Sequence, residues 1–412
     1  MSDQAPIVVV SALKPPPFAA AVAETNLFPV IEATWTEALD AVARVQPAAV
    51  LVSAATEDEA IFATLAKRMA AKQPYVPLIA IDPVAPLPGH AIPFLQTSGN
   101  FDRLSARLRA ALRVRTLHAT VVRRLTTDTI RRTALQNPDP IDDASILLIG
   151  RGAAYPSLSV ALGERVGVVG ALSIEAAAKH LNARDIDGII IGDGFSPRVV
   201  DAFLTVLAED ARFRSLPVIV TSGGLLPMYD LPNLEMIASE AAGVAAHALP
   251  LVRQQAFAAR LSRTLKSLDS DGLIDERTGL LTSSAFERDF ATAVYQTQSR
   301  GGGLSVVRFS FDEVSDRVRL DAARILSRLM RQMDFGALQS DGSLIVAFAE
   351  TDLRNAHVIT KRLSSVLKHT MHSAKRDARN EPQTTVTTLL PNDSAVAVLA
   401  RLYSDEHRRA AS

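Results

Sequence analysis

The stretch GIIIGDGFSPRVVDAFLTVLAEDARFRSLPVIVT, residues 188–221, decides the fold. Gly188 to Ile191 is a short apolar run of the kind that forms a strand buried on both faces. Pro197 to Glu209 has a helical pattern, and Pro217 to Thr221 is rich in β-formers again. A strand, a helix and a strand joined by short connections make a crossover unit, and such units build a parallel sheet with helices on its faces.

The same order extends outward in both directions. Upstream, Ser145 to Ile149 reads as a strand and Ile174 to Leu181 as a helix; downstream, a long polar and apolar helical pattern runs from Ala241 to Leu268. Nearer the start, strands are expected at Ile7 to Val10, Ala48 to Val52 and Pro77 to Ile81, with helices at Thr36 to Arg44 and Glu57 to Ala71. A Pro-rich segment, 83–93, reads as irregular, and an arginine-rich helix follows from about Phe101 to about Arg132. Asn137-Pro-Asp-Pro140 then marks a boundary. Two blocks of about 130 residues with one element order suggest a duplicated architecture. A third region starts near Asp271. It carries helices at Ser283 to Gln298, Leu320 to Met333 and Leu353 to His369, and strands at Leu304 to Phe309, Ser343 to Phe348 and about Thr384 to Leu389, read as a mixed α/β sheet. The expected domains are 1–136, 143–268 and 271–412, of class α/β.

Composition narrows the chemistry. The 412 residues agree with two to three domains at roughly 150 residues each. Lys plus Arg and Asp plus Glu are 44 each, so no global field would hold nucleic acid or an anionic membrane. Cysteine is absent, which excludes disulfides, thiolate metal sites and cysteine nucleophiles. No apolar run is long enough to span a bilayer, and the start MSDQAPIVVVSALKPPP lacks the pattern of a targeting peptide, so a cytoplasmic chain is expected. Trp35 is expected to pack against a helix. The spacing of His357, His369 and His372 does not suit a metal site.

Residues 207–221, LAEDARFRSLPVIVT, resemble the third helix and fourth strand of a response-regulator receiver domain, and the first block resembles one more faintly. Asp275-Glu-Arg-Thr-Gly-Leu280 followed by Phe286 is similar to the opening D-x-L-T-G-L and N-R-x-x-F segments of GGDEF domains, the diguanylate cyclase family. The whole arrangement resembles the receiver–receiver–GGDEF proteins of the PleD/PopA class in bacterial cyclic di-GMP signalling. That resemblance implies two doubly wound, flavodoxin-like receiver domains followed by a GGDEF-type domain.

Receivers need carboxylates after the first strand to hold Mg²⁺ and an aspartate ending the third strand to accept phosphate. Here Ser11-Ala12 and Gly150-Arg151 follow the first strands, and the acceptor position falls on Ser53 and on Gly192, with Asp193 one residue late. Both blocks are therefore read as pseudo-receivers suited to dimerisation or docking. In the third domain the five motif residues are Ser340-Asp341-Gly342-Ser343-Leu344, the metal carboxylate at the end of the strand is Ser310, and Asp312 holds the second aspartate position. The guanine-contacting stretch is missing before Leu320, so Asp312 and Asp341 are read as exposed loop carboxylates rather than as metal ligands. An R-x-x-D, Arg331-Gln-Met-Asp334, stands five residues ahead of that motif, the spacing of the family's inhibitory cyclic di-GMP site, and Arg362 falls at the site's second arginine. On a helix, Arg331 and Asp334 would share one face. Arginine offers a planar fork to guanine O6 and N7 or to phosphate, and aspartate accepts from N1–H and N2–H. The competing account is a surface ion pair worth a few tenths of a kcal/mol.

Three readings remain open. One is a non-catalytic cyclic di-GMP effector with Arg331, Asp334 and Arg362 as its site, no metal and no cofactor. Another is a ligand-free scaffold, and the last is a residual diguanylate cyclase. The expected partners are cyclic di-GMP, a second copy of the chain through the receiver-like domains, and an unidentified protein that can bring it to a cell pole. Nucleic acid binding and membrane insertion are not expected. The arginine-rich helix is read as a solvated face or a dimer stalk.

Overall fold

The structure is a computed structural model and describes residues 5–12, 16, 18–23, 29–53, 59–83, 86–96, 101, 103–125, 139–221, 229–300, 303–311, 314–331, 333–370 and 382–410. The chain divides into two compact units, Met1–Ala177 with Ile186–Ser262, and Ala178–Asp185 with Arg263–Ser412. No helix among the described residues is long and apolar enough to cross a membrane.

The first unit holds two parallel sheets. In one, β1 (Ile7–Val10), β2 (Val30–Ala33), β3 (Ala49–Ser53), β4 (Leu78–Ile81) and β5 (Ala91–Phe94) lie in the order β2-β1-β3-β4-β5. In the other, β6 (Ser145–Ile149), β7 (Gly167–Ala171), β8 (Gly188–Ile191), β9 (Val218–Val220) and β10 (Leu234–Met236) run β10-β9-β8-β6-β7. Counted from its own first strand, each sheet has the order 2-1-3-4-5, the flavodoxin-like doubly wound arrangement. The helices that follow these strands are α1 (Ala19–Ala23), α2 (Ala38–Arg44), α3 (Glu59–Ala70) and α4 (Leu104–Arg124), then α5 (Tyr155–Gly163), α6 (Ile174–Ala183), which passes into the second unit at Ala178, and α7 (Pro197–Glu209). The central strands are buried on both faces, which is why they read as unbroken Val/Ile/Leu runs. Trp35 packs edge-on against Phe62 of α3, ring centroids 5.9 Å apart.

The segment 83–93, expected to be irregular, ends in β5. Proline cannot donate to a ladder, and Pro93 is accommodated because β5 is an edge strand whose free side needs no donor. The arginine-rich helix also departs from expectation. It is described over Leu104–Arg124, and residues 126–138 lie outside the described residues. Its Arg107 is 1% exposed rather than solvated. It donates to Glu235 Oε1 at 2.6 Å, to the Pro93 carbonyl at 2.5 Å and to the Pro232 carbonyl at 2.8 Å, and Arg103 reaches the Leu234 carbonyl.

A long helix, α8 (Ala241–Asp269), leads into the second unit. There β11 (Leu304–Ser310), β12 (Phe335–Leu338), β13 (Leu344–Ala349) and β14 (Gln383–Thr388) form a sheet in the order β12-β13-β11-β14. Every strand pair in it is antiparallel, so the expected mixed sheet is corrected. Side chains alternate between two cores. Val307, Phe309, Leu344, Val346 and Phe348 pack with α10 (Asp316–Leu329) and α11 (Leu353–Thr370). Leu304, Val306, Ile345 and Ala347 pack with α9 (Ser283–Arg300) and α12 (Ala395–Ala410).

Candidate functional site

The helix expected over Leu320–Met333 ends at Leu329 instead, and Met330 is already extended. Arg331 and Asp334 therefore do not share a helix face; they bracket a turn in which the Asp334 N–H donates to the Arg331 carbonyl at 3.0 Å. The Asp334 carboxylate accepts from the Arg331 N–H at 3.4 Å. Such a side-chain bond to nearby backbone competes with continuation of a helix.

Arg331 and Arg362 nevertheless line one pocket of about 360 Å³. From α11 come Asn355, Val358, Ile359 and Arg362, whose spacing of three, four and seven residues puts them on a single helix face. The Asp352 carboxylate fixes the start of that helix by accepting from the Asn355 N–H at 2.7 Å and from its side-chain amide at 3.0 Å. Glu350 and Thr351, at the end of β13, complete the lining. Neither guanidinium is salt-bridged among the described residues. Val358 is 65% exposed and offers an apolar surface between the charged ends.

Asp334 does not line the open pocket. It is 8% exposed, and its Oδ1 is buried without a hydrogen-bond partner among the described residues. Burial raises its pKa above the usual carboxylate value, outweighing the Arg331 and Ala349 amides and the Arg331 guanidinium, which favour the charged form. The R-x-x-D turn thus carries a buried carboxylate beside a pocket lined by two guanidiniums that form no salt bridge among the described residues.

Ser340-Asp341-Gly342-Ser343-Leu344 forms the tight connection between β12 and β13, where the Gln339 N–H donates to the Ser343 carbonyl at 2.8 Å. Gly342 has φ +80°, a conformation that favours glycine. Asp341 is an exposed residue of this loop, and its carboxylate is also engaged. Its Oδ1 accepts from Ser343 N–H at 2.9 Å and Ser343 Oγ at 2.6 Å, and its Oδ2 pairs with Arg308 at 3.0 Å. Partial burial acts to raise its pKa, but the bonds from Ser343 and Arg308 prevail and hold it below the ordinary value. Arg308 also stacks over Tyr403 at 4.6 Å. Ser310 pairs with Gln383 in the sheet and brings no carboxylate to the strand end. Asp312 lies outside the described residues, as does His372. Among the described residues no cluster of three or more His, Asp or Glu could hold a metal ion.

In doubly wound sheets ligands bind beyond the carboxyl ends of the strands where the strand order reverses. At that place in the first sheet the Ser53 hydroxyl donates to the Ser11 hydroxyl at 3.2 Å, and Ser11 is 1% exposed. In the second sheet, backbone fills the crevice. Arg151 and Gly152 N–H both donate to the Asp193 carbonyl, at 3.0 and 3.2 Å, and Gly192 N–H donates to the Ile149 carbonyl at 2.7 Å. A Cβ on Gly152 would sit 2.6 Å from Asp193 Cβ, and one on Gly150 would sit 3.6 Å from Gly192 Cα. Asp193 is exposed.

No protein-family model matches the chain, and no curated protein does. Among solved structures, it is similar to the coiled coil and GGDEF domain of DgcB from Caulobacter crescentus, crystallised with c-di-GMP. That match has 17% identity over 36% of this chain and 87% of that one, with a TM-score of 0.29. A sensory box/GGDEF family protein from Caulobacter crescentus matches at 19% identity over 33% of this chain and 96% of that one, TM-score 0.30. The FimX GGDEF domain from Pseudomonas aeruginosa matches at 17% identity over 33% and 94%, TM-score 0.30.

Proposed function

We propose that this protein is a non-catalytic cyclic di-GMP effector in bacterial signal transduction, with Arg331, Asp334 and Arg362 as its ligand-binding residues. The observation that carries the reading is the meeting of two guanidiniums, 31 residues apart in sequence and without a salt bridge among the described residues, in one pocket beside a carboxylate whose buried Oδ1 has no hydrogen-bond partner among them. Cyclic di-GMP has the complementary groups. Its phosphates and guanine O6 and N7 accept from the arginines, and guanine N1–H and N2–H supply the donors that Asp334 Oδ1 lacks. Asp334 is covered in the free protein, so binding opens the turn between Arg331 and Asp334.

A reading without catalysis is supported by the loss of carboxylates at Ser310 and by the engagement of Asp341 with Ser343 and Arg308, which leaves no free acid for a metal ion at the motif. Ser11, Ser53, Gly150 and Gly192 at the two strand-order reversals support pseudo-receivers, whose role in the proposal is to join two copies of the chain and to dock a protein partner. Calorimetry tests the ligand. The full chain should bind cyclic di-GMP at micromolar or tighter affinity, and R331A and R362A should each weaken it by about tenfold to a hundredfold, the value of a charged hydrogen-bonding contact. No heat with the full chain would leave a scaffold without ligand. Cyclic di-GMP formed from GTP and Mg²⁺ would restore the enzyme reading.

A further inference from the structure

A second cleft, of about 430 Å³, lies within the N-terminal unit and has no part in the site above. One wall is α4, the other is α8, and the turn before β9 closes it with Arg214 and Ser215. We propose that it binds a small organic anion, a carboxylate or phosphate ester that also bears a hydrogen-bond donor.

Charge comes first. Arg113 and Arg214 line the cleft and no acidic side chain does. Arg113 is exposed and has no salt-bridge partner among the described residues. Arg214 donates its Nε–H to the Ala208 carbonyl at 3.0 Å and, among the described residues, pairs with the exposed Asp230 at 3.5 Å. A concave surface of one sign concentrates ions of the other.

The requirement for a donor comes from Asn233, which also lines the cleft and is 8% exposed. Its amide group is oriented by the Ser215 carbonyl, to which Nδ2 donates at 2.7 Å. That leaves Oδ1 buried and without a hydrogen-bond partner among the described residues. An unmet buried acceptor costs about 1–3 kcal/mol, which a ligand N–H or O–H would recover. The floor is aliphatic, with Ala110, Leu117, Leu251 and Ala258, and no aromatic ring lines it. Stacking of a nucleobase is therefore unsupported, and the chemistry favours an aliphatic hydroxy acid or sugar-phosphate type of molecule of a size that such a volume takes.

The probe is 3-phosphoglycerate, with glycerol as its uncharged counterpart, titrated by calorimetry into the full chain. Binding of 3-phosphoglycerate without binding of glycerol is expected, weakened about tenfold or more in R113M and in R214M. Both arginines are on the surface, and melting curves check that the variants fold. R331A, which removes the proposed cyclic di-GMP contact, should leave this binding unchanged. Absence of heat with the wild-type chain, or equal affinity in R113M and R214M, overturns the proposal.

Discussion

Asp334 is the residue with most at stake. Its pKa is raised by burial, so the folded protein holds that proton more tightly than the unfolded chain does. The group's contribution to stability is therefore present below the ordinary carboxylate range and lost as pH rises through the raised value. At neutral pH the charged, half-satisfied carboxylate is a cost. D334N should consequently be more stable than wild type at pH 7, by about 1 kcal/mol, with the gain fading toward pH 4; chemical denaturation across that range measures it. The same variant should lose cyclic di-GMP binding, because an asparagine NH₂ in place of a carboxylate oxygen meets guanine donors with a donor. A variant less stable at every pH would show that the carboxylate is structurally satisfied.

At the scale of elements, the second sheet's strand-order reversal is sealed by two glycine-containing loops in contact. G152A brings a methyl group into Asp193 and should cost about 2 kcal/mol by equilibrium unfolding, a typical overpacking penalty. The legibility of the fold follows the same local physics. Ser145–Ile149, Gly188–Ile191 and Pro197–Glu209 are found where their sequence puts them, since strands buried on both faces leave an uninterrupted apolar record. The strands that left no such record, β2, β5, β7, β10 and β12, are all at sheet edges, where a proline in β5 or the glycines of β7 and β12 are tolerated. Of the candidate site, residue types and spacing singled out Arg331 and Arg362, and both line one pocket. The turn that buries Asp334 was not legible, because a single side-chain bond to the Arg331 amide ends the helix there. Asn355 and Val358 could have been added by counting seven and four residues back from Arg362 along the helix.

At the scale of the whole molecule, a buried ion pair joins α4 to β10 within the N-terminal unit. Arg107 belongs to α4 and Glu235 to β10, each side chain is 1% exposed, and Arg103 lies 4.0 Å from the same carboxylate. Burial lowers the Arg107 pKa, opposed by Glu235. Removing one partner strands the other charge, so R107A or E235A should cost about 3–5 kcal/mol, whereas R107M/E235L should recover most of it. Denaturant unfolding of the four proteins decides this, and a loss in the double variant as large as in the singles would refute it. Arg107 also holds the Pro93 carbonyl of one sheet and the Pro232 carbonyl preceding the other, so a single guanidinium spans both repeats. The two sheets thus depend on one another at this contact, and a truncation after residue 136 would leave an orphaned cation where a neighbour used to be.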